Sequence, residues 1–382
     1  MPACLNSDCT LAQLQPGMTR RASAMVGRQE LSARYLHIGL INNMADGALE
    51  STERQFLSLL NAASGDIQIR LSLYSMAEIP RKAAAAGHVR KFYSDVDALW
   101  GTHLDGLIVT GREPATHRLI DEGYWKRFTR VVEWARENTY STVWSCLAAH
   151  AAVLHCDGVS RVKSRIKHCG VFECSRVEDH PLTAGISPRF RLPHSRWNGV
   201  SESALRDCGY RVLTRSADIG ADMFVKQHRS LFVFFQGHPE YDPDTLLLEY
   251  RRDVGRYLRG ESGRYPTVPE NYFSQSTEAL LQALQKEALR SPRRELLADV
   301  HAALLKAKIE AVWRPEASSI YQRWLEHIWV QKQIQMRAGE NTTEMCAGDE
   351  PTETSTRFRR PFSPTPERTN VRDDPQRVAV GQ

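Results

Sequence analysis

From Tyr35 onward, short apolar runs alternate with stretches whose apolar positions recur at helical spacing. YLHIGLIN has the character of a buried strand. A turn-like Asn-Asn-Met-Ala-Asp-Gly follows, and then ALESTERQFLSLLNAA, where Leu49, Phe56, Leu59 and Leu60 share one helical face. IQIRLSLYS alternates as a strand does, a helix is expected around His88 to Trp100, and DGLIVTG supplies another strand. Strand, helix, strand, helix, strand predicts an α/β layer around a parallel sheet.

The alternation persists. YWKRFTRVVEWAREN carries an apolar stripe through Trp125, Phe128, Val131, Val132 and Ala135, which marks an amphipathic helix. STVWSC is a short strand ending on Cys146, and LAAHAAVLHC is a helix of small residues starting there. Beyond Gly158 the pattern shortens into β-like pieces: GVFECSRV, GYRVLTRS, DMFVKQ and SLFVFFQG. The last ends in Gly-His-Pro-Glu and leads to the helix DTLLLEYRRDVGRYLRG. The pattern divides the chain into an irregular arm over 1–34, an α/β domain over 35–274 and two or three C-terminal helices over 275–337. From Ala338 to Gln382 there is no Leu, Ile, Trp or Tyr, too little apolar surface to fold, so a disordered tail is expected.

Composition narrows the class. With 42% hydrophobic and 25% charged residues over 382 positions, most of the chain can bury a core. Fifty Lys plus Arg against 45 Asp plus Glu gives a net charge of +5, too thin an excess to point to nucleic acid. No run approaches the roughly 20 apolar residues of a membrane span. The N-terminus lacks the apolar stretch of a secretory signal. Eight cysteines without a CxxC pair read as reduced thiols of a cytoplasmic protein. Cys156, Cys169 and Cys174 with His155 and His168 fit no zinc-ligand spacing, and no Walker or GxGxxG pattern supports a nucleotide cofactor.

The chemistry concentrates at two strand ends. In TVWSCLAAHAA a cysteine closes an apolar strand and opens a helix, so it sits on a sharp turn at the carboxyl edge of the sheet. The helix N-terminus favours its thiolate, and Ala148, Ala149, Ala151 and Ala152 let helix and strand approach closely. Taken alone, Cys146 is either a nucleophile or a small buried hydrophobe. The second element is Gly237-His238-Pro239-Glu240. A histidine at a strand end with a carboxylate two residues on is a workable base with its orienting partner. Finding both elements in one α/β chain favours the catalytic reading.

Together, INNMADGALESTERQFLSLL, DGLIVTG, YWKRFTRVVEWARENTYSTVWSCLAAHAA, GVFE, HPLTAGI, RLPHSRW and GHPEYDPDTLLLEYRRD resemble the homoserine O-succinyltransferase/O-acetyltransferase family. The similarity runs from about Tyr35 to Asn271, with an echo in RWLEHIWVQ. It implies a class I glutamine amidotransferase-like fold and a cysteine acyltransferase that takes an acyl group from acyl-coenzyme A, as co-substrate, to the hydroxyl of L-homoserine, on the way to methionine. No cofactor is implied, and a homodimer is. By motif, the acyl-accepting cysteine falls on Cys146, the base on His238 and its supporting glutamate on Glu240. Substrate-contacting positions fall on Lys167, Ser195 and Arg252, and the backbone N–H at Leu147 serves as oxyanion donor.

The family sorts its donors by one position in the loop after DGLIVTG, where glutamate goes with acetyl and a small residue with succinyl. That position falls on Ala115, with Arg112 placed to pair with a succinyl carboxylate. Succinyl-coenzyme A is therefore the expected donor; acetyl-coenzyme A, serine as acceptor, a glutaminase-type amidotransferase and a catalytically silent binding protein are the rivals. Lys163, Arg165, Lys167 and His168 form a basic cluster that either meets coenzyme A phosphates or is a solvated face. The run Cys146-Leu147-Ala148-Ala149-His150 departs from the family's usual Cys-Trp-Gly-Ala-Gln.

Overall fold

A computed structural model describes residues 4–5 and 34–347. The first strands and helices are β1 (Cys4–Leu5), β2 (Tyr35–Ile41), α1 (Leu49–Ala63), β3 (Gln68–Ser75), α2 (Ala83–Phe92), β4 (Ser94–Asp95) and β5 (Gly106–Val109). Next come α3 (Trp125–Asn138), β6 (Ser141–Ser145), α4 (Leu147–Asp157), β7 (Val162–Arg176), β8 (Arg189–Gly199), α5 (Glu202–Asp207), β9 (Arg211–Val212) and β10 (Thr214–Ser216). The chain continues through β11 (Gly220–Ala221), β12 (Met223–Gln227), β13 (Leu231–Phe235), α6 (Thr245–Leu258), α7 (Gln275–Arg290), α8 (Leu296–Leu305) and α9 (Arg314–Ala347). Apart from β1 and Arg34, the expected N-terminal arm lies outside the described residues. The tail expected from Ala338 begins inside α9, and residues 348–382 lie outside the described residues.

The main sheet runs β1-β3-β2-β5-β6-β13-β12-β9, with β4 added beside β3. It is parallel from β1 to β13 and turns antiparallel at β12 and β9. Its central strands are apolar on both sides, as a sheet covered by helices requires. In β13, Leu231, Val233 and Phe235 enter the core on one face, while Phe232 and Phe234 enter that on the other. Each such buried side chain contributes about 1.5–3 kcal/mol relative to exposure. A second, antiparallel sheet, β11-β10-β7-β8, stands beside it. The helix expected around His88 to Trp100 is displaced: α2 ends at Phe92, Tyr93 is extended, and β4 joins the sheet edge. The Asp95 carboxylate then accepts the Asp97 N–H and caps a 3-10 turn.

The α/β architecture with C-terminal helices is as the sequence pattern predicts. No described helix is long and apolar enough to cross a membrane. Part of α9 packs on the main sheet at the start of β6, and the residue before α9 reaches the turn after β13. The Trp324 indole N–H donates to Ser141 Oγ at 2.9 Å, and Trp313 donates to the Tyr241 carbonyl at 2.9 Å, which pins the turn after β13.

Candidate active site

β6 and β13 are parallel neighbours in register, Phe235 opposite Ser145, so both chains leave the sheet side by side at its carboxyl edge. The Cys146 N–H still donates to the Phe235 carbonyl, at 2.7 Å, and the chain then breaks sharply. Cys146 has φ 51° and ψ −110°, a left-handed conformation that costs a side-chain-bearing residue on the order of 1–3 kcal/mol. That kink lifts the thiol out of the strand and starts α4 behind it. The sharp strand-to-helix turn expected at Cys146 is present.

On the adjacent strand end, the His238 N–H is fixed by the Pro193 carbonyl of β8 at 2.8 Å. Its Nδ1 lies 2.8 Å from Glu240 Oε1 and donates to it, leaving Nε2 for Cys146, whose charge acts on the ring. Burial alone would lower the His238 pKa, but Glu240 and Cys146 outweigh it and hold the group well above its ordinary value, favouring the imidazolium. His238 also stacks on Tyr241, ring centroids 4.2 Å apart. Cys146, His238 and Glu240 thus form one chain of contacts, almost closed to water at its inner end.

The glycine after β5 completes the pocket behind the thiol. A Cβ on Gly111 would stand 2.8 Å from Leu147 N and 2.9 Å from Ala148 N, so only glycine lets this loop cross the start of α4. As first residues of the helix, Leu147 and Ala148 direct backbone N–H groups that lack intrahelical acceptors towards that space. This resolves the Ala148 departure, since the clearance is supplied by Gly111 rather than at position 148. We expect Gly111→Ala to fold but lose about 10²–10³-fold in kcat through displaced oxyanion donors. Steady-state kinetics check this, and an unchanged kcat would remove Leu147 from the oxyanion site.

His150, another of the departures, is turned to Gln236. It is fully buried, its Nε2 lies 2.9 Å from Gln236 Oε1, and burial pushes its pKa down to about 3. It is a neutral core histidine. Gln236 in turn accepts from Val200 N and donates to the Ala221 carbonyl.

Lys167 and Ser195 come together on the other side of His238, at a residue the sequence reading passed over. Glu249 of α6 accepts the Tyr241 hydroxyl at 2.6 Å and the Ser195 hydroxyl, and lies 3.8 Å from Lys167 Nζ. Lys167 is 3.2 Å from Asp253, and Arg252 donates to Asp253 at 2.8 Å. Burial opposes the Lys167 charge, but Glu249 and then Asp253 among the acids more than restore it. The signal for Glu249 and Asp253 was their i, i+4 spacing around Arg252, which puts all three along one side of a helix. Two cations and two anions form a nearly neutral quartet.

The residues expected to sort donors are less enclosed. Ala115 is exposed, and Arg112 Nε donates weakly, at 3.4 Å, to its neighbour's carbonyl. Glu113 turns outward to Arg256 at 3.3 Å. Arg161, also unassigned from sequence, donates to the His117 carbonyl, while its Nη1 is buried without a partner. Burial lowers the Arg161 pKa, opposed by Tyr124, Glu122 and Cys146.

Beneath the turn after β13 lies a buried group that the PHSR motif half announces. His194 Nε2 stands 3.3 Å from Asp222 Oδ1, and Arg196 donates to the Asn198 and Ile219 carbonyls. Cys174, His194 and Asp222 offer ligand atoms within 4.8 Å of one another. Asp222 already accepts from Thr214 and from the Gly237 N–H, and a Cβ on Gly237 would collide with both Asp222 and His194. The cluster therefore acts as the bed of the His238 turn. Burial raises the Asp222 pKa to about 6, against the hydrogen bond from Thr214.

A family model described as homoserine O-succinyltransferase matches residues 19–335. The homoserine O-succinyltransferase of Bradyrhizobium japonicum is 45% identical over 294 residues, covering 77% of this chain and 90% of the relative. That of Methylorubrum extorquens is 44% identical over 76% of this chain and 87% of its own. That of Thiothrix nivea is 36% identical over 82% and 88%. Among solved structures, a glutamine amido transferase from Methylobacillus flagellatus aligns with a TM-score of 0.42 and 14% identity, covering 78% of this chain and 96% of that one.

Proposed function

The chain belongs to the homoserine O-succinyltransferase family, and we propose that it carries out the family's reaction by covalent catalysis through Cys146. It is an O-acyltransferase that moves a succinyl group from succinyl-coenzyme A to the hydroxyl of L-homoserine, a step towards methionine. The observation that carries the mechanism is the unbroken chain from Glu240 through His238 to the kinked Cys146.

The Cys146 thiolate attacks the thioester carbonyl, the oxyanion is held by backbone N–H groups at Leu147, and the collapsing intermediate expels the coenzyme A thiolate. That thiolate takes the proton of the His238 imidazolium. Neutral His238 next removes the proton of the homoserine hydroxyl as its oxygen attacks the succinyl-Cys146 carbonyl. Ester formation releases the Cys146 thiolate and restores the imidazolium, so protons balance over the cycle. The quartet of Lys167, Arg252, Glu249 and Asp253 suits the acceptor's zwitterion, with cations for its carboxylate and anions for its ammonium. No resident cofactor enters these steps, and a cytoplasmic location and a homodimer are part of the reading. Intact-protein mass spectrometry with succinyl-coenzyme A alone should show one added succinyl group, discharged by homoserine. Turnover without any adduct would overturn the covalent route.

Donor choice we assign to the loop after β5. Ala115 leaves room there, and the nearest loop carboxylate, Glu113, is drawn outward by Arg256, so nothing anionic opposes the succinyl carboxylate, with Arg112 available to pair with it. Ala115→Glu is expected to lower kcat/KM for succinyl-coenzyme A by about 10–100-fold relative to acetyl-coenzyme A, on the scale of 1–3 kcal/mol for an unpaired charge. A ratio left unmoved would dismiss the loop as the selector.

A further inference from the structure

We propose that the cleft between α6 and α8 is the binding site for the anionic nucleotide end of the coenzyme A donor, its 3′-phosphate and pyrophosphate. The proposal rests on the reading of the donor given above and extends it to a part of the molecule remote from the thiol. The cleft has a volume of about 650 Å³. Arg251 and Arg252 of α6 and Arg259 just past its end line it, with Arg294 and His301 from the opposite wall, and no aspartate or glutamate lines it.

Charge pairing leaves a clear surplus there. Arg252 is matched by Asp253, and Arg259 by Glu261 at 2.6 Å. Among the described residues Arg251 meets the ring of His301, at 3.2 Å, and Arg294 makes no ion pair, acting on Glu261 only through space. Two guanidinium groups facing one cleft repel each other unless an anion sits between them. Planar forks of this kind match phosphate oxygens two at a time. Leu248 and Leu297 supply apolar surface beside them, as a purine base requires. A single-anion buffer site would need neither the breadth nor the apolar wall.

Position fits the length of the donor. α6 begins beside the catalytic turn, where Glu249 holds the Tyr241 hydroxyl under the His238 ring. Arg259, the residue that caps the end of the same helix, lies ten residues further on, about 15 Å at 1.5 Å per residue. The pantetheine arm between the thioester and the pyrophosphate is roughly as long as four or five extended residues, about 15 Å. Arg252 belongs to both regions, so the two are continuous. The basic hairpin of Lys163 and Arg165, exposed at the start of β7, is the competing location.

The test separates the nucleotide end from the reacting end. Equilibrium binding of free coenzyme A and of pantetheine is measured by calorimetry on the full chain, for wild type, Arg251→Gln/Arg294→Gln and Lys163→Gln/Arg165→Gln. The arginine pair should weaken coenzyme A binding by at least about 10-fold, flatten its salt dependence, and leave pantetheine binding and succinyl-pantetheine turnover unchanged. Arg294→Gln alone should give a smaller loss in the same direction. Unchanged coenzyme A affinity in the arginine variants, or a loss confined to the β7 pair, would overturn the assignment. Equal losses for coenzyme A and pantetheine would also overturn it. Because binding is read without turnover, a failure of the catalytic reading would show separately, as wild type that binds coenzyme A but forms no acyl-enzyme.

Discussion

Replacing Cys146 by alanine is expected to reduce turnover by at least about 10⁴-fold, to background, while leaving the fold intact. In the proposed route the thiol accepts the succinyl carbonyl, and among the described cysteines Cys146 is the one that acts on the His238 ring. Of the other described free cysteines, burial raises the Cys169 pKa to about 12 and holds Cys174 well above its ordinary value, so both are poor thiolates. The structural cost is small. Alanine inherits the same strained φ, loses one partly exposed sulfur atom and keeps the backbone bond to Phe235. The melting temperature should therefore move by a few degrees at most, the equivalent of about 1 kcal/mol. Mass spectrometry of the variant after succinyl-coenzyme A should show no covalent adduct. Residual turnover within tenfold of wild type would mean direct transfer from donor to acceptor, with Cys146 a bystander.

What the residue pattern could and could not reveal follows from how each part is built. The β6–Cys146–α4 elbow and the β13–His238–Glu240 turn are local: each is a strand end, a kink and a following turn or helix, and the relevant residues sit within five positions of one another. Their meeting is set by one parallel strand pairing, β6 with β13, which no local pattern specifies. Glu249 was missed because its importance arises only when Tyr241, Ser195 and Lys167, from three different elements, converge on one carboxylate. The bed of His194, Asp222 and Arg196 was missed for the same reason: β8 presents Ser195 to the substrate side and its neighbours to the interior, an alternation that a proline at position 193 obscures. Gly111 shows the converse, a residue visible in the sequence whose role depends on a backbone approach that no pattern of hydrophobicity records.

His238→Ala should cost about 10²–10⁴-fold in kcat/KM for succinyl-coenzyme A, because the variant loses the acid that protonates the departing thiolate and the base that activates homoserine. The stronger check on the assigned chemistry is Glu240→Gln, which keeps the shape and removes the charge. In the wild type, burial pulls the His238 pKa down, and Glu240 foremost, with Cys146, pulls it back up and beyond. With the carboxylate gone, burial faces a weaker opponent and the imidazolium gives up its proton at lower pH. In the proposed route the imidazolium is the acid that protonates the departing coenzyme A thiolate, and it is lost as pH rises through the histidine's pKa. The alkaline limb of kcat/KM for succinyl-coenzyme A should accordingly shift to lower pH in Glu240→Gln, with kcat reduced and the fold retained. Since the kcat/KM profile reports the free enzyme, the shift belongs to the resting pair and not to a bound complex. An alkaline limb that stays in place, or moves upward, would show that Glu240 only packs against the ring and does not set its charge.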